Sequence, residues 1–178
     1  MPVTKLAVAR AVLMAAVAVS LNCRTAEARV RTAPPDDLRS GIALYQQAKY
    51  AEAEAALRGA AGTEAQAYLA ASLARQKKFE EAEAVAKAAL DAVPNHEVAV
   101  AALGEALVGQ KKLDEAVSRM TAAIQARGDL AYAYFWRGQA HYQKKQPDRM
   151  VGDFEAFLRL APKAPEAPAI QSLLATFR

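Results

Sequence analysis

The side chains able to do covalent or metal chemistry are few and far apart. The 178-residue sequence holds one cysteine, Cys23, and two histidines, His96 and His141. A zinc site needs several Cys, His or carboxylate ligands at short spacings, and neither histidine has a cysteine or second histidine so placed. His96 follows Pro94-Asn95 and reads as a solvated turn residue. His141 occupies an apolar position of a helical pattern and reads as packed and hydrogen-bonded rather than as a base. No Gly-rich phosphate loop, G-x-S-x-G elbow or H-E-x-x-H pair occurs. No site assembles the minimum set of catalytic roles, so the expectation is a non-enzyme with no metal, cofactor or small-molecule substrate.

Recognition is the chemistry that remains, and composition narrows its scaffold. Hydrophobic residues make up 53% of the chain but aromatics only 7%, so alanine supplies much of the apolar content. That profile suits closely packed helices rather than a sheet fold, which leans on β-branched and aromatic residues. The formal charge of +4 is partly an N-terminal effect. Lys5, Arg10 and Arg24 face only Glu27 within residues 1–28, and the remainder is nearly balanced. Global charge therefore gives no case for a nucleic-acid partner.

Residues 1–28 read as an export signal. Lys5 and Arg10 precede an apolar run over 11–21 that is shorter than the roughly 20 residues of a membrane-spanning helix. Ala26-Glu27-Ala28 then offers an A-x-A cleavage site, which makes Arg29 the first mature residue and removes the only cysteine. An alternative stays open at Cys23, which closes the apolar run as a lipidated cysteine does in bacterial lipoproteins. Asn22 stands where such a recognition box expects a small residue. The expected location is the periplasm or the exterior, or the outer membrane if Cys23 is lipidated. Residues 29–35, with Pro34-Pro35, read as an exposed lead-in.

A period of 34 residues organises the rest. Windows 63–96, 97–130 and 131–164 superpose without a gap. Ala70, Gly104 and Gly138 coincide, as do Ala82, Ala116 and Met150, and Leu90, Ile124 and Leu158. Each window holds two stretches of helical apolar spacing separated by a polar turn. Period and pattern resemble the tetratricopeptide repeat (TPR) family, whose unit is a helix pair with small residues at positions 8, 20 and 27. The resemblance implies an all-α fold, a right-handed superhelix of stacked antiparallel helix pairs. Residues 36–62 form a degenerate first pair, with Gly41, Leu44, Tyr50, Ala53 and Leu57 at repeat positions and a second helix about five residues short. Met150 and Phe157 depart from the small-residue rule in the last repeat, as Arg137 departs from an apolar position. Residues 165–178 carry Ile170, Leu173, Leu174 and Phe177 at helical spacing and read as a capping helix.

The resemblance implies a partner-lined concave face at positions 2, 5, 9, 12 and 13 of each first helix. These are Ala67, Ala71, Ala74 and Arg75, with Tyr68 alongside; then Val98, Ala101, Glu105, Val108 and Gly109; then Tyr132, Phe135, Gln139, Tyr142 and Gln143, with Trp136 alongside. The carboxylate clamp of some family members is absent, since Leu38, Ile42, Tyr68, Val98 and Ala102 hold its positions. The candidate binding residues are Tyr68, Arg75, Glu105, Tyr132, Phe135, Gln139 and Tyr142. The aromatic set has a second reading as core behind the capping helix. A second repeated feature is the run Gln76-Lys77-Lys78, Gln110-Lys111-Lys112 and Lys144-Lys145-Gln146. It reads as a basic edge or as helix-end electrostatics, with Glu80-Glu81, Asp114-Glu115 and Asp148 opening the helices that follow. The expected protein is an exported scaffold for a protein or peptide partner. The alternative is an outer-membrane lipoprotein in pilus, secretion or envelope assembly, touching membrane only through its N-terminal segment.

Overall fold

The computed structural model of the protein describes residues 35–177. The proposed export signal, its cleavage site and Cys23 lie outside them. Among the described residues the chain forms nine helices and no strand. They are α1 (Pro35–Gln46), α2 (Tyr50–Leu57), α3 (Thr63–Arg75), α4 (Phe79–Ala92), α5 (Glu97–Gly109), α6 (Leu113–Ala126), α7 (Ala131–Gln143), α8 (Pro147–Leu160) and α9 (Ala167–Ala175). Four helix pairs follow one another, and α9 closes the stack against α8. The first helices α1, α3, α5 and α7 also touch in series, which gives the stack one continuous inner face. The second helix of the first pair has 8 residues where α4, α6 and α8 have 14, since Gly59 to Gly62 end it early.

Each hairpin is closed by the same backbone device. Lys77 N–H donates to Ala74 O at 2.9 Å and Lys78 N–H to Leu73 O at 3.0 Å. This pair of bonds ends a helix around one left-handed residue. That residue is Ala48, Lys77, Lys111 or Lys145, with φ of 60°, 62°, 62° and 56°. The second residue of the device begins the next helix, so none of α2, α4, α6 or α8 has a side-chain N-cap bond. Acids in their first turns, such as Glu80-Glu81 and Asp114-Glu115, complement the exposed N–H groups instead.

Close approach within a pair rests on a missing or minimal side chain. A Cβ added at Gly41 would stand 2.5 Å from Leu57 Cγ, and one at Gly138 would stand 2.7 Å from Phe154 Cε1. Leu57 and Phe154 occupy the same repeat position, where window 63–96 has Ala86 opposite Ala70. A large residue therefore faces glycine, and a small one faces alanine. Met150 and Phe157 are fully buried and do not disrupt the last pair. They join Phe135 and Phe154 in one cluster that α9 covers with Ile170 and Leu174. Phe177 falls outside α9 and is 47% exposed, so the apolar spacing read for the cap overruns its helix.

Adjacent pairs are tied by a carboxylate clamp. Glu54 Oε2 on α2 accepts from Gln76 Nε2 and Lys78 Nζ, each at 2.7 Å. One repeat later, Glu83 Oε2 on α4 accepts from Gln110 Nε2 at 2.7 Å and Lys112 Nζ at 2.8 Å. The Gln-Lys-Lys run is thus a connector and not a continuous basic edge. Its first residue and last residue hold a buried glutamate of the preceding pair, while its middle lysine makes the turn. At the third junction the glutamate position is Val117, and the run changes to Lys144-Lys145-Gln146. Lys144 Nζ then pairs with the Asp114 carboxylate, and Gln146 Oε1 accepts from His141 Nδ1 at 2.7 Å. Arg137 crosses this junction instead, donating from Nη1 to Thr121 Oγ1 on α6 at 3.1 Å, while a two-pronged ion pair at 2.6 and 3.0 Å holds it to Asp153 of its own pair.

These clamps set the acid response. Lys78, with Arg58 and Gln76, outweighs burial and lowers the Glu54 carboxyl to about 2. Burial pushes Glu83 upward, but Lys112, Lys87 and Gln110 together bring it down to about 2. A carboxylate with a depressed folded pKa gives stability that is complete above the unfolded value near 4.5. That stability is lost as pH falls towards 2. Combined Glu54→Gln and Glu83→Gln should cost about 2–4 kcal/mol at neutral pH. Thermal melts should also show the variant losing less stability than the parent between about pH 5 and pH 2.5. Parallel melting curves for the two proteins would assign the acid response elsewhere.

Candidate partner-binding groove

The inner face of the first helices carries a cavity of about 260 Å³. Its walls come from four successive pairs: Tyr45 on α1, Tyr68 and Arg75 on α3, Val98, Ala101 and Glu105 on α5, and Tyr132 and Trp136 on α7. Alanines at Ala71, Ala101 and Ala102 keep the middle of the face low, so the aromatics stand above it at either end. Tyr45 and Tyr68 meet edge to face with ring centroids 5.5 Å apart. At the other end, Tyr132 lies against Phe157 at 5.7 Å and Phe135 against Trp136 at 4.9 Å. The fixed aromatic walls offer contact area at little cost in rotamer freedom.

One polar network crosses the floor. Arg75 Nε lies 3.4 Å from Glu105 Oε2, and its Nη2 lies 3.9 Å from Glu166 Oε1. The Tyr132 hydroxyl donates to Glu166 Oε2 at 2.9 Å. Burial raises the Glu105 carboxyl, with Arg75 opposing the shift. Burial, reinforced by acceptance of its proton by Glu166, pushes Tyr132 up to about 12. The network starts at the last turn of α3, passes the middle of α5, and reaches the first turn of α7 and the start of α9. Successive first helices therefore cross at an angle, and residues at unlike repeat positions meet.

That crossing sorts the residues singled out in the sequence. Tyr68, Arg75, Glu105 and Tyr132 come together in the groove. Phe135 does not line it: the side chain is 6% exposed and packs on Phe154 and Phe157. Tyr142 is 48% exposed and lines a different cavity of about 510 Å³ with Lys145, Met150 and Phe177. It shares a helix face with Tyr132 but lies ten residues along α7, about 15 Å away. Gln139 is half-buried and lines neither cavity. Ala67, Ala74 and Val108 are buried, and Gly109 meets the Phe79 ring, so these inner-face expectations also fail. Tyr45, Glu97 and Glu166 are the groove residues that sequence reasoning missed. Tyr45 held a readable signal, since it occupies position 12 of the degenerate first repeat.

His141 belongs to packing. His141 is 5% exposed and lies beside Gln146 and Asp153, the latter held by Arg137. Among the described residues, no group of three or more His, Cys, Asp or Glu side chains is placed to hold a metal.

No protein-family model matches the sequence, and no curated protein matches it. Solved structures do match in three dimensions. TTC0263, a thermophilic TPR protein of Thermus thermophilus, superposes with a TM-score of 0.69 over 79% of each chain at 22% identity. The fold is that of the tetratricopeptide-repeat proteins. PilF of Pseudomonas aeruginosa matches the TPR solenoid with a TM-score of 0.63 at 22% identity, over 82% of this chain and 70% of its own. The first TPR domain of human RPAP3 matches at 24% identity and a TM-score of 0.54, over 64% of this chain and 93% of its own.

The groove network can be tested without a ligand. Arg75→Met leaves the Glu105 carboxylate without its cation and should destabilise the TPR solenoid by about 1–3 kcal/mol. Adding Glu105→Gln should recover at least half of that loss in a thermal-unfolding double-mutant cycle. Additive losses would mean that the two side chains do not sense each other.

Proposed function

We propose that the protein is an exported scaffold that holds an extended or helical segment of a protein partner in its concave groove. The observation that carries this reading is the groove itself, built by side chains from four successive helix pairs. A segment laid along it touches several repeats at once, which is how stacked repeats use their concave surface. Aromatic walls above an alanine floor suit apolar anchors of a peptide. No helix of the described residues is long and apolar enough to cross a membrane, and export rests on the residues before Pro35.

A photo-crosslinking amino acid placed at Ala101 in the producing cell tests the reading, with Ser118 on the exposed side of α6 and Tyr142 at the second cavity as controls. A protein captured from Ala101 and not from Ser118 is expected. Equal capture from both, or capture only from Tyr142, would move the binding face away from the groove. Intact mass of the protein recovered from the envelope tests export. A chain starting at Arg29 is expected, a lipidated chain starting at Cys23 supports the lipoprotein alternative, and retained Met1 contradicts both.

A further inference from the structure

We propose that the groove anchors its partner through a basic side chain, a lysine or arginine seated against Tyr68 beside the carboxylate of Glu97. This rests on the groove reading above and adds the chemistry of the occupant. The lining charges lead to it. Glu97 and Glu105 line the cavity together with one cation, Arg75. Arg75 is shared between Glu105 and Glu166, so the floor already holds more negative than positive charge. At the Tyr68 end, Tyr68 and Glu97 line the wall together, and burial with the charges of Glu64 and Glu97 raises the Tyr68 pKa. Arg127 reaches Glu97 only at the rim, at 3.5 Å, while also bonding Asp129 and the Asn95 carbonyl. Both members of that pair are exposed, and such pairs are worth little.

The alternatives for an occupant fare worse on physical grounds. An acidic side chain would meet Glu97 and Glu105 with a single, already engaged arginine. An apolar one would take Glu97 out of water with only the exposed Arg127 contact to offset the loss. A lysine or arginine pairs with the carboxylates and lays its stem along Tyr68, with the Tyr45 ring behind. Specificity would then come from the rejection of acidic segments as much as from the attraction of basic ones.

Panning a random dodecapeptide phage library on the purified protein tests this, followed by titration of synthetic peptides. Trp136 is the sole tryptophan and lines the groove, so its emission reports occupancy directly. Selected peptides are expected to share a Lys or Arg and to shift Trp136 emission. Replacing that residue with citrulline or norleucine should weaken binding at least tenfold. Glu97→Gln should do the same, and the site is exposed, so circular dichroism should match the parent. The citrulline or norleucine peptide should bind parent and variant alike. Peptides that shift Trp136 but lack a basic residue, or that ignore the glutamine variant, overturn the basic anchor and leave the groove standing. Peptides that bind without moving Trp136, or no selected peptide at all, overturn the groove reading as well.

Discussion

A single helix pair cannot cover its own apolar side, and everything else in this molecule follows from how the next pair covers it. The central core shows the dependence. Ala70 and Ala71 from α3, Leu103 and Leu107 from α5, Ala116 from α6 and Ala140 from α7 share one buried cluster. Because these contacts are largely alanine, the helices come close and no pair keeps a separate interior. Glycine extends the rule: Gly104 on α5 accepts Trp136 of the following pair, where a Cβ would stand 2.6 Å from the Trp136 Cβ. The same contact holds Trp136 at the groove, so stacking and site are one problem. At the end of the stack the alanines give way to Phe154, Phe157 and Met150, and α9 supplies the last cover. The buried clamps on Glu54 and Glu83 fix the rotation between pairs, since each joins a second helix to the turn of the next unit. That rotation carries Arg75 to Glu105 despite their different positions in the repeat.

The repeat was legible because its causes are local. Small residues at Ala70, Gly104 and Gly138, helical spacing on either side, and a polar turn recur every 34 residues. The groove was only partly legible, because a repeat position gives the face of a helix but not its height against its neighbours. Tyr132, Phe135, Gln139 and Tyr142 do lie on one side of α7. The crossing of α5 and α7 nevertheless leaves Tyr132 in the groove, buries Phe135 and takes Tyr142 to another cavity. Glu166 gave no signal, since it lies beyond the last window and reaches the site only when α9 folds back. The lysine run held more information than its charge suggested. Gln-Lys-Lys accompanies a glutamate in the preceding pair, and the order changes where that glutamate becomes Val117.

Electrostatics divide between two tasks. On the clamps, cations outnumber the carboxylate they hold, and Glu54 and Glu83 stay ionised deep into acid. In the groove the balance is reversed, and one arginine faces Glu105 and Glu166. The first arrangement stabilises the stack by itself. The second leaves net negative charge on the inner face, which the proposed basic anchor would complete. Tyr132 links the tasks, because its bond to Glu166 ties the capping segment to the floor of the groove.

The central claim is that the inner face of α3, α5 and the first turn of α7 receives the partner. Backbone amide shifts of isotopically labelled protein, followed while the captured partner's segment is added, measure it most directly. The largest changes should fall at Tyr68, Arg75, Ala101, Glu105 and Tyr132, with α4, α6 and α8 little affected. Changes centred instead on Tyr142, Met150 and Phe177, or spread along the outer helices, would contradict it.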